Sequence, residues 1–420
     1  MKWCLLKLQK KQSILSDNCL VPKALLIEHL IGGEETLALF EYLGLLFPCE
    51  IDPTLMVPYV HIFPIDVDLV DRNMSEVQHI GQYRSMDSAE QASVILVTDC
   101  HPKVLSRITV GEQENGAVMY IGPDSLALVN CLPLQTYFSS FKTEYNLTET
   151  FRVLDICTGS GVQGISTLVS LKSIRPDASI VFVDVNDRAL QFARFNALLN
   201  GISDEKILLI NKDITTHEDF ISERFDIILA NPPFIPIPPS ELIQKRYGLF
   251  SAGGSRGDDV LCSLIQKVPQ ILKPESGLLG IVSEFMNPPE EGRHLDVLHD
   301  IQHWWNSSNI NDKGQDGIYP ARCILFTNEF PIAASIYASR RADDEEEDEL
   351  WFNHLQSNGI DSISPGLLFL MLLSDHLQEG YFESQIVPRS RFGSIWTPFN
   401  IEAVDYIKTL MKIWYTSKTK

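Results

Sequence analysis

The stretch FRVLDICTGSGVQG, Phe151–Gly164, decides how this chain is read. Phe151–Cys157 reads as an apolar strand with one acid near its end, as expected for a strand covered on both faces. Gly159 and Gly161 then let the backbone turn tightly and approach a ligand closely. From Val162 the pattern becomes helical. A strand that ends in a Gly-rich turn and opens a helix is a common ligand-binding device in α/β proteins. A tight structural turn without a ligand is the plain alternative.

Outward from that turn, strand and helix patterns alternate. Further strands are expected at Ser179–Val185, Lys206–Asn211, Phe225–Ala230, Leu278–Phe285, Cys323–Glu329 and Gly366–Leu373. Between the second and third of the seven lies NDRALQFARFNALLNG, a helix capped by Asn186 or Asp187 and stopped by Gly201. Such alternation predicts an α/β fold with a doubly wound, Rossmann-like, seven-stranded and mostly parallel sheet. The preceding region is mixed α+β. A helix is expected at Glu35–Phe47, and strands at Ser93–Asp99 and Ala117–Gly122. GPDSLALV, Gly122–Val129, opens a further helix with Asp124 or Ser125 as cap. We therefore divide the chain into an accessory or recognition region, 1–120, a ligand-binding domain, 121–375, and a C-terminal extension, 376–420, carrying a helix after Pro398.

The formal charge of the 420 residues is -21. An acidic run, Asp343–Glu349, contributes to it and reads as a solvated, self-repelling segment. A negative coat repels phosphate backbones, which disfavours nucleic acid as a partner unless a local basic groove exists. The 8 cysteines are scattered, with no Cys-x-x-Cys pair and no metal-ligand spacing, so neither a metal nor a disulfide framework is expected. The N-terminus lacks the clean apolar core of a signal peptide, and the longest apolar run, Gly366–Leu373, is too short to span a bilayer. A cytoplasmic protein without membrane contact is the expectation.

The chemistry concentrates at strand ends. Gly159-Ser160-Gly161-x-x-Gly164 has the spacing of dinucleotide turns, so the glycines alone do not exclude a nicotinamide cofactor. Asp155 and Thr158 point elsewhere. A carboxylate just upstream of the turn can reach a positively charged amino acid moiety. That suits S-adenosylmethionine, which carries an ammonium and a sulfonium but no pyrophosphate. Thr158–Gly161 would lie under it. Asp184, at the end of the second strand and beside Val185, is placed to bond ribose hydroxyls. Asp213, after the third strand, can bond an adenine amino group. The fourth strand stops at Asn231-Pro232-Pro233-Phe234, beside the Gly-rich turn where strand order reverses. The Asn231 amide oxygen and the Pro232 carbonyl can hold two N–H groups of a planar amine. The prolines make that placement rigid, and Phe234 can stack on a planar acceptor. Tyr247, Arg256, Asp258 and Asp259 follow in a Gly-rich segment that could form a lid, with Asp258 equally a helix cap.

Taken in order, LDICTGSG, FVDVN, NKD and FDIILANPPF resemble the class I S-adenosylmethionine-dependent methyltransferases that modify amino groups. Among these are the release-factor glutamine enzymes, the adenine-N6 and guanine-N2 enzymes, and the methyltransferase small-domain group. GPDSLALV is similar to the Pro-Asp-Thr stretch of the glutamine enzymes. Those usually read NPPY where this chain has NPPF. The resemblance covers about residues 120–235. It implies N-methylation of a planar nitrogen on a protein side chain or a small molecule, with direct in-line displacement. Asn231–Phe234 would be the catalytic residues, and a small activating subunit is conceivable. Two other readings stay open: a nucleobase methyltransferase with a basic groove using Lys245 and Arg246, and a non-catalytic binding protein that kept the fold.

Overall fold

The computed structural model describes residues 21–29, 33–42, 46–48, 53–58, 60–70, 90–99, 118–140, 149–216, 221–240, 243, 251–288, 296–308, 320–373, 381–388 and 401–416. Tyr247, Lys245 and Arg246 lie outside these residues, as do Cys4, Cys19, Cys49 and Cys100. The described cysteines, Cys131, Cys157, Cys262 and Cys323, are free thiols.

The chain begins with β1 (Val21–Pro22), α1 (Lys23–His29), α2 (Gly33–Tyr42), β2 (Leu46–Pro48) and β3 (Leu55–Pro58), whose strands form a small antiparallel sheet. The helix expected to reach Phe47 ends at Tyr42, because Leu46–Pro48 is drawn into pairing with β3. An antiparallel ribbon follows, β4 (Val60–Asp68) and β5 (Gln91–Asp99). The main body comprises α3 (Pro123–Cys131), α4 (Leu134–Ser140), β6 (Arg152–Ile156), α5 (Val162–Leu171), β7 (Ser179–Asp184), α6 (Asp187–Leu199), β8 (Ile207–Asn211), β9 (Ile227–Ala230), α7 (Asp259–Ile271), β10 (Leu278–Asn287), α8 (Asp296–Ser308) and β11 (Ala321–Asn328). It closes with β12 (Ile332–Ala333), α9 (Ala334–Arg341), α10 (Glu345–Ser357), β13 (Ser362–Leu372), β14 (Tyr381–Val387) and α11 (Ile401–Thr416).

All seven expected strands are present in one sheet, ordered β14-β11-β13-β10-β9-β6-β7-β8, and β12 and β14 join them. Pairing is parallel from β8 through β10, while β13 runs antiparallel between β10 and β11. Side-chain alternation sorts the core into two layers. Val153, Ile180, Phe182, Ile227 and Leu229 face α3, α5, α6 and α11. Leu154, Ile156, Val181, Ile228 and Ala230 face α7 and α8. Every residue of β9 has 0% exposure, as a central parallel strand should.

The N-terminal ribbon shares the first of these layers through Ile65, Val67, Val94 and Leu96. Its free edge is paired by side chains. Asn196 on α6 accepts from Val97 N at 2.8 Å and donates to Val97 O at 2.8 Å. One turn later Asn200 accepts from Ile95 N at 2.8 Å and donates to Ile95 O at 2.7 Å. Two amides at i and i+4 thus act as a substitute strand for an edge that would otherwise stay open. Arg188 adds an ion pair to Asp99.

Two local expectations are corrected. Val118–Gly122 is not a strand: Val118 N donates to the Asp99 carboxylate and Met119 O accepts from Thr98 Oγ1, so the run is tethered to the end of β5 by side chains. Its apolar pattern reflects the burial of Val118 and Ile121. The acidic run is not merely a solvated segment either. Asp344 caps α10 by accepting from Glu347 N at 2.9 Å, and the buried Glu347 accepts from Asp343 N at 2.9 Å. Acids in a first turn also oppose the helix dipole favourably.

Asn196 is fully buried and makes a third bond, to Ser160 O at 2.9 Å. Asn196→Ala is expected to lower unfolding free energy by about 2–4 kcal/mol, because Val97 N and O lose their partners together. Urea unfolding of the full chain measures it; a loss below about 0.5 kcal/mol would show that the ribbon is held without the amide.

Candidate active site

At the C-terminal ends of β6, β7 and β9 lies a cleft of about 460 Å³, within the usual range of about 300–1,000 Å³ for small-molecule sites. Its floor is the turn after β6. Cys157 has φ 54, Gly159 φ 52 and Gly161 φ 82, three left-handed residues in five. At Gly161 a Cβ would also meet Ala193 Cα at 3.2 Å, where α5 approaches α6. At Gly164 it would meet Ile180 Cδ1 at 2.2 Å, so the third glycine serves close packing of α5 on the sheet. At Gly159 it would meet nothing within 4 Å: the turn opens into free space there.

Two carboxylates hold the turn. Asp184 accepts from Gly159 N and from Asn186 N, both at 2.9 Å, and lies in the cleft wall with Val185 and Asn186. Burial raises its pKa. Asp155 does not reach the cleft. It is 0% exposed beneath the turn, where one oxygen accepts from Thr158 Oγ1 and Gly164 N, both at 2.9 Å. The direct contact with an amino acid moiety expected for Asp155 is therefore replaced by a hold on the loop and on the start of α5. Its second oxygen is buried without a partner. Burial pushes the Asp155 carboxyl up to about 7, partly offset by the Gly164 and Thr158 bonds.

Thr158, Gly159, Ser160 and Asp213 line the cleft as expected. Asp213 accepts from Thr215 N at 2.8 Å and Thr215 Oγ1 at 2.7 Å, which shapes the turn after β8. From the NPPF stretch, Asn231 and Pro233 line the cleft, whereas Pro232 is buried. Phe234 is absent from the cleft wall. Its ring packs on the apolar cluster of Ile235, Ile237, Trp351 and Leu355, so the expected stacking on an acceptor gives way to anchoring of α10. Gly253, Gly254 and Asp259 of the following segment do reach the cleft. Gly253 lies against the NPPF backbone: a Cβ there would be 2.8 Å from Phe234 Cα. Arg256 points elsewhere, to Asp258 at 3.1 Å, Asp300 at 3.7 Å and Asn358 O at 3.3 Å.

Asp124 and Ser125 were expected to cap α3. Gly122 is the cap residue instead, with Pro123 opening the helix, and both polar side chains turn to Asn231. Asn231 Nδ2 donates to Asp124 Oδ2 at 2.8 Å and to Ser125 Oγ at 3.1 Å. Beyond them on β10, Glu284 accepts from Tyr337 Oη at 2.6 Å and pairs with Arg341 at 3.4 Å. Burial raises the pKa of both Asp124 and Glu284. Sequence reasoning missed Glu284 and the cleft residue Tyr120. Glu284 had a visible signal, a lone acid in the apolar run LLGIVSEF.

Residues 137–237 match the family described as methyltransferase small domain. The matched segment contains the Gly-rich turn, Asp184, Asp213 and NPPF; Tyr120, Asp124, Ser125 and Glu284 lie outside it. The chain is similar to a release factor glutamine methyltransferase of Flavobacterium psychrophilum, 43% identical over 20% of this chain and 27% of the relative. Two ribosomal protein uL3 glutamine methyltransferases are also similar. That of Bradyrhizobium diazoefficiens is 31% identical over 30% of this chain and 39% of the relative. That of Xanthomonas campestris is 26% identical over 48% and 61%. The chain thus spans less than two thirds of these relatives. Among the described residues no group of three or more His, Cys, Asp or Glu could hold a metal, and no helix is long and apolar enough to cross a membrane.

The raised pKa of Asp155 means that the folded protein retains a proton the unfolded chain releases near pH 4. The associated stability is present below about pH 4 and is lost as pH rises through about 7. Asp155→Asn should remove this dependence, so the variant gains on the wild type by up to a few kcal/mol across about pH 4 to 7 and levels off above. Urea unfolding of both proteins at stepped pH measures the difference; parallel curves would place the Asp155 pKa in the ordinary range.

Proposed function

We propose that the protein is an S-adenosylmethionine-dependent N-methyltransferase acting on a side-chain amide nitrogen of a protein. One observation carries the reading: Asn231 and Pro233 share a single cleft with the left-handed glycine turn and Asp184. The residues present fit the cofactor. Gly159 leaves room for close approach, Asp184 and Asp213 offer carboxylates to hydroxyl and amino groups, and Val185 and Ile214 supply apolar wall. When bound, S-adenosylmethionine supplies a methyl group activated by its sulfonium. On the acceptor side, the Asn231 amide oxygen, which faces the cleft, accepts an N–H bond of a planar NH2, and the backbone carbonyl of the buried Pro232 is the second acceptor this reading requires. Holding those hydrogens returns lone-pair density to nitrogen and orients it for in-line attack. Cleft walls from Tyr120, Gly253 and Asp259 limit water around it.

The similar glutamine methyltransferases support an amide in a protein as the acceptor. So does the charge near the acceptor end. Asp259 lines the cleft, Asp124 bonds Asn231, and the carboxylates of α10 stand on the helical hairpin packed against NPPF. A phosphate backbone is poorly served by that array. Residues 1–120 would then contribute acceptor recognition, with the ribbon β4–β5 fixing their place against α6.

Transfer of tritiated methyl groups from S-adenosylmethionine into cell extract tests this. Label should vanish with protease and survive nuclease. Asn231→Ala should cut transfer by about 100-fold or more while leaving cofactor affinity within about twofold. Nuclease-sensitive label would favour a nucleobase acceptor, and failure to bind the cofactor would favour a non-catalytic protein.

A further inference from the structure

An asparagine amide presents an oxygen at one end and an NH2 at the other, and its surroundings decide which end faces where. At Asn231 both N–H bonds are engaged, one by Asp124 Oδ2 at 2.8 Å and one by Ser125 Oγ at 3.1 Å. A flipped amide would set its oxygen against the Asp124 carboxylate, two acceptors with no hydrogen between them. Asp124 itself cannot turn away. It sits in the first turn of α3, nine-tenths buried, with its carboxylate held by Asn231 Nδ2. No hydrogen bond to Asn231 Oδ1 is found among the described residues, and Asn231 lines the cleft. The oxygen is the end left for a ligand.

We propose that Asp124, assisted by Ser125, is the positioning residue that locks the Asn231 amide, so that the site offers an acceptor atom and favours methyl acceptors that donate a hydrogen bond, such as a planar NH2, over those that only accept one. The inference rests on the methyltransferase reading of the same site. It explains selection against acceptors without a donor hydrogen: a carboxylate oxygen would meet the Asn231 oxygen with nothing to share, and a locked amide cannot turn its NH2 to greet it.

The lock requires ionised Asp124. A protonated carboxyl can donate to the Asn231 oxygen and stabilise the flipped amide. Burial holds the Asp124 proton to higher pH than an ordinary carboxylate, with Glu284 on β10 and Tyr120 as further acidic groups nearby and Arg341 on α9 as the cation. Transfer should therefore fall on acidification at a pH above the usual carboxylate range.

The test compares wild type, Asp124→Ala, Asp124→Asn and Ser125→Ala as full chains, measuring methyl transfer against pH, cofactor affinity by calorimetry, and melting temperature. Asp124→Ala should lose about 10- to 100-fold in kcat with cofactor affinity within about twofold. Asp124→Asn keeps one oxygen for Asn231 Nδ2, so it should fall between, and its acid limb should disappear. Ser125→Ala should lose about threefold and keep the limb. Wild-type rates in Asp124→Ala overturn the lock. Should Asp124→Ala not fold, an unchanged acid limb in Asp124→Asn overturns it. Absence of any transfer by the wild type overturns the functional reading, and the lock with it, and is recognised in that arm alone.

Discussion

Strands β6 and β9 lie side by side in parallel register, Ile156 opposite Ala230, and the site depends on that pairing. The chain leaves β6 through the glycine turn, winds outward through β7 and β8, then returns to the other side of β6. Both β6 and β9 end at the same level, so the turn at 158–161 and the NPPF stretch emerge as neighbours. Parallel strands buried on both faces cannot shift register without moving an entire apolar layer. The separation between the Gly-rich turn and the NPPF stretch is therefore set by the sheet, not by loops.

Within that frame the carboxylates serve backbone first. Asp155 holds the start of α5, Asp184 holds Gly159 and Asn186, and Asp213 holds Thr215. Asp155 stands out because one oxygen does all the holding while its partner atom is buried and unpaired. A left-handed loop of Cys157, Gly159 and Gly161 is strained backbone, and fixed acceptors beneath it keep it in one conformation. Asn196 reaches the same loop from above through Ser160 O, so the N-terminal ribbon and the ligand turn share a single buried amide.

Much of this was legible in the sequence because period and burial coincide. Continuous apolar runs bounded by Gly, Pro or Asp located all seven expected strands, and Asn186, Gly201 and the helix after Pro398 followed from capping and breaking rules. The failures share a cause: tertiary partners claimed residues that local rules had assigned elsewhere. Asp124 and Ser125 have the chemistry of caps, yet Asn231, 106 residues away from Ser125, takes both. Phe234 looked like a stacking platform until α10, inserted between β12 and β13, gave its ring an apolar cluster. Asp155 was correctly placed at the strand end, but the side on which its carboxylate emerges depends on the pleat and on the packing of Gly164 over Ile180.

The division between shared and added parts has a chemical sense. Residues 137–237 hold the Gly-rich turn, Asp184, Asp213 and the NPPF stretch. What surrounds Asn231 comes from elsewhere: Tyr120 from the segment tied to β5, Asp124 and Ser125 from α3, and the α9–α10 hairpin behind NPPF. Methyl donation makes the same demand whatever the acceptor, so its residues can be one compact unit. On the proposed reading, selection among acceptors falls to groups outside the matched segment, and these enter from both sides of it. The Asn231 amide is where the two sets meet: its position belongs to β9, and its orientation to α3.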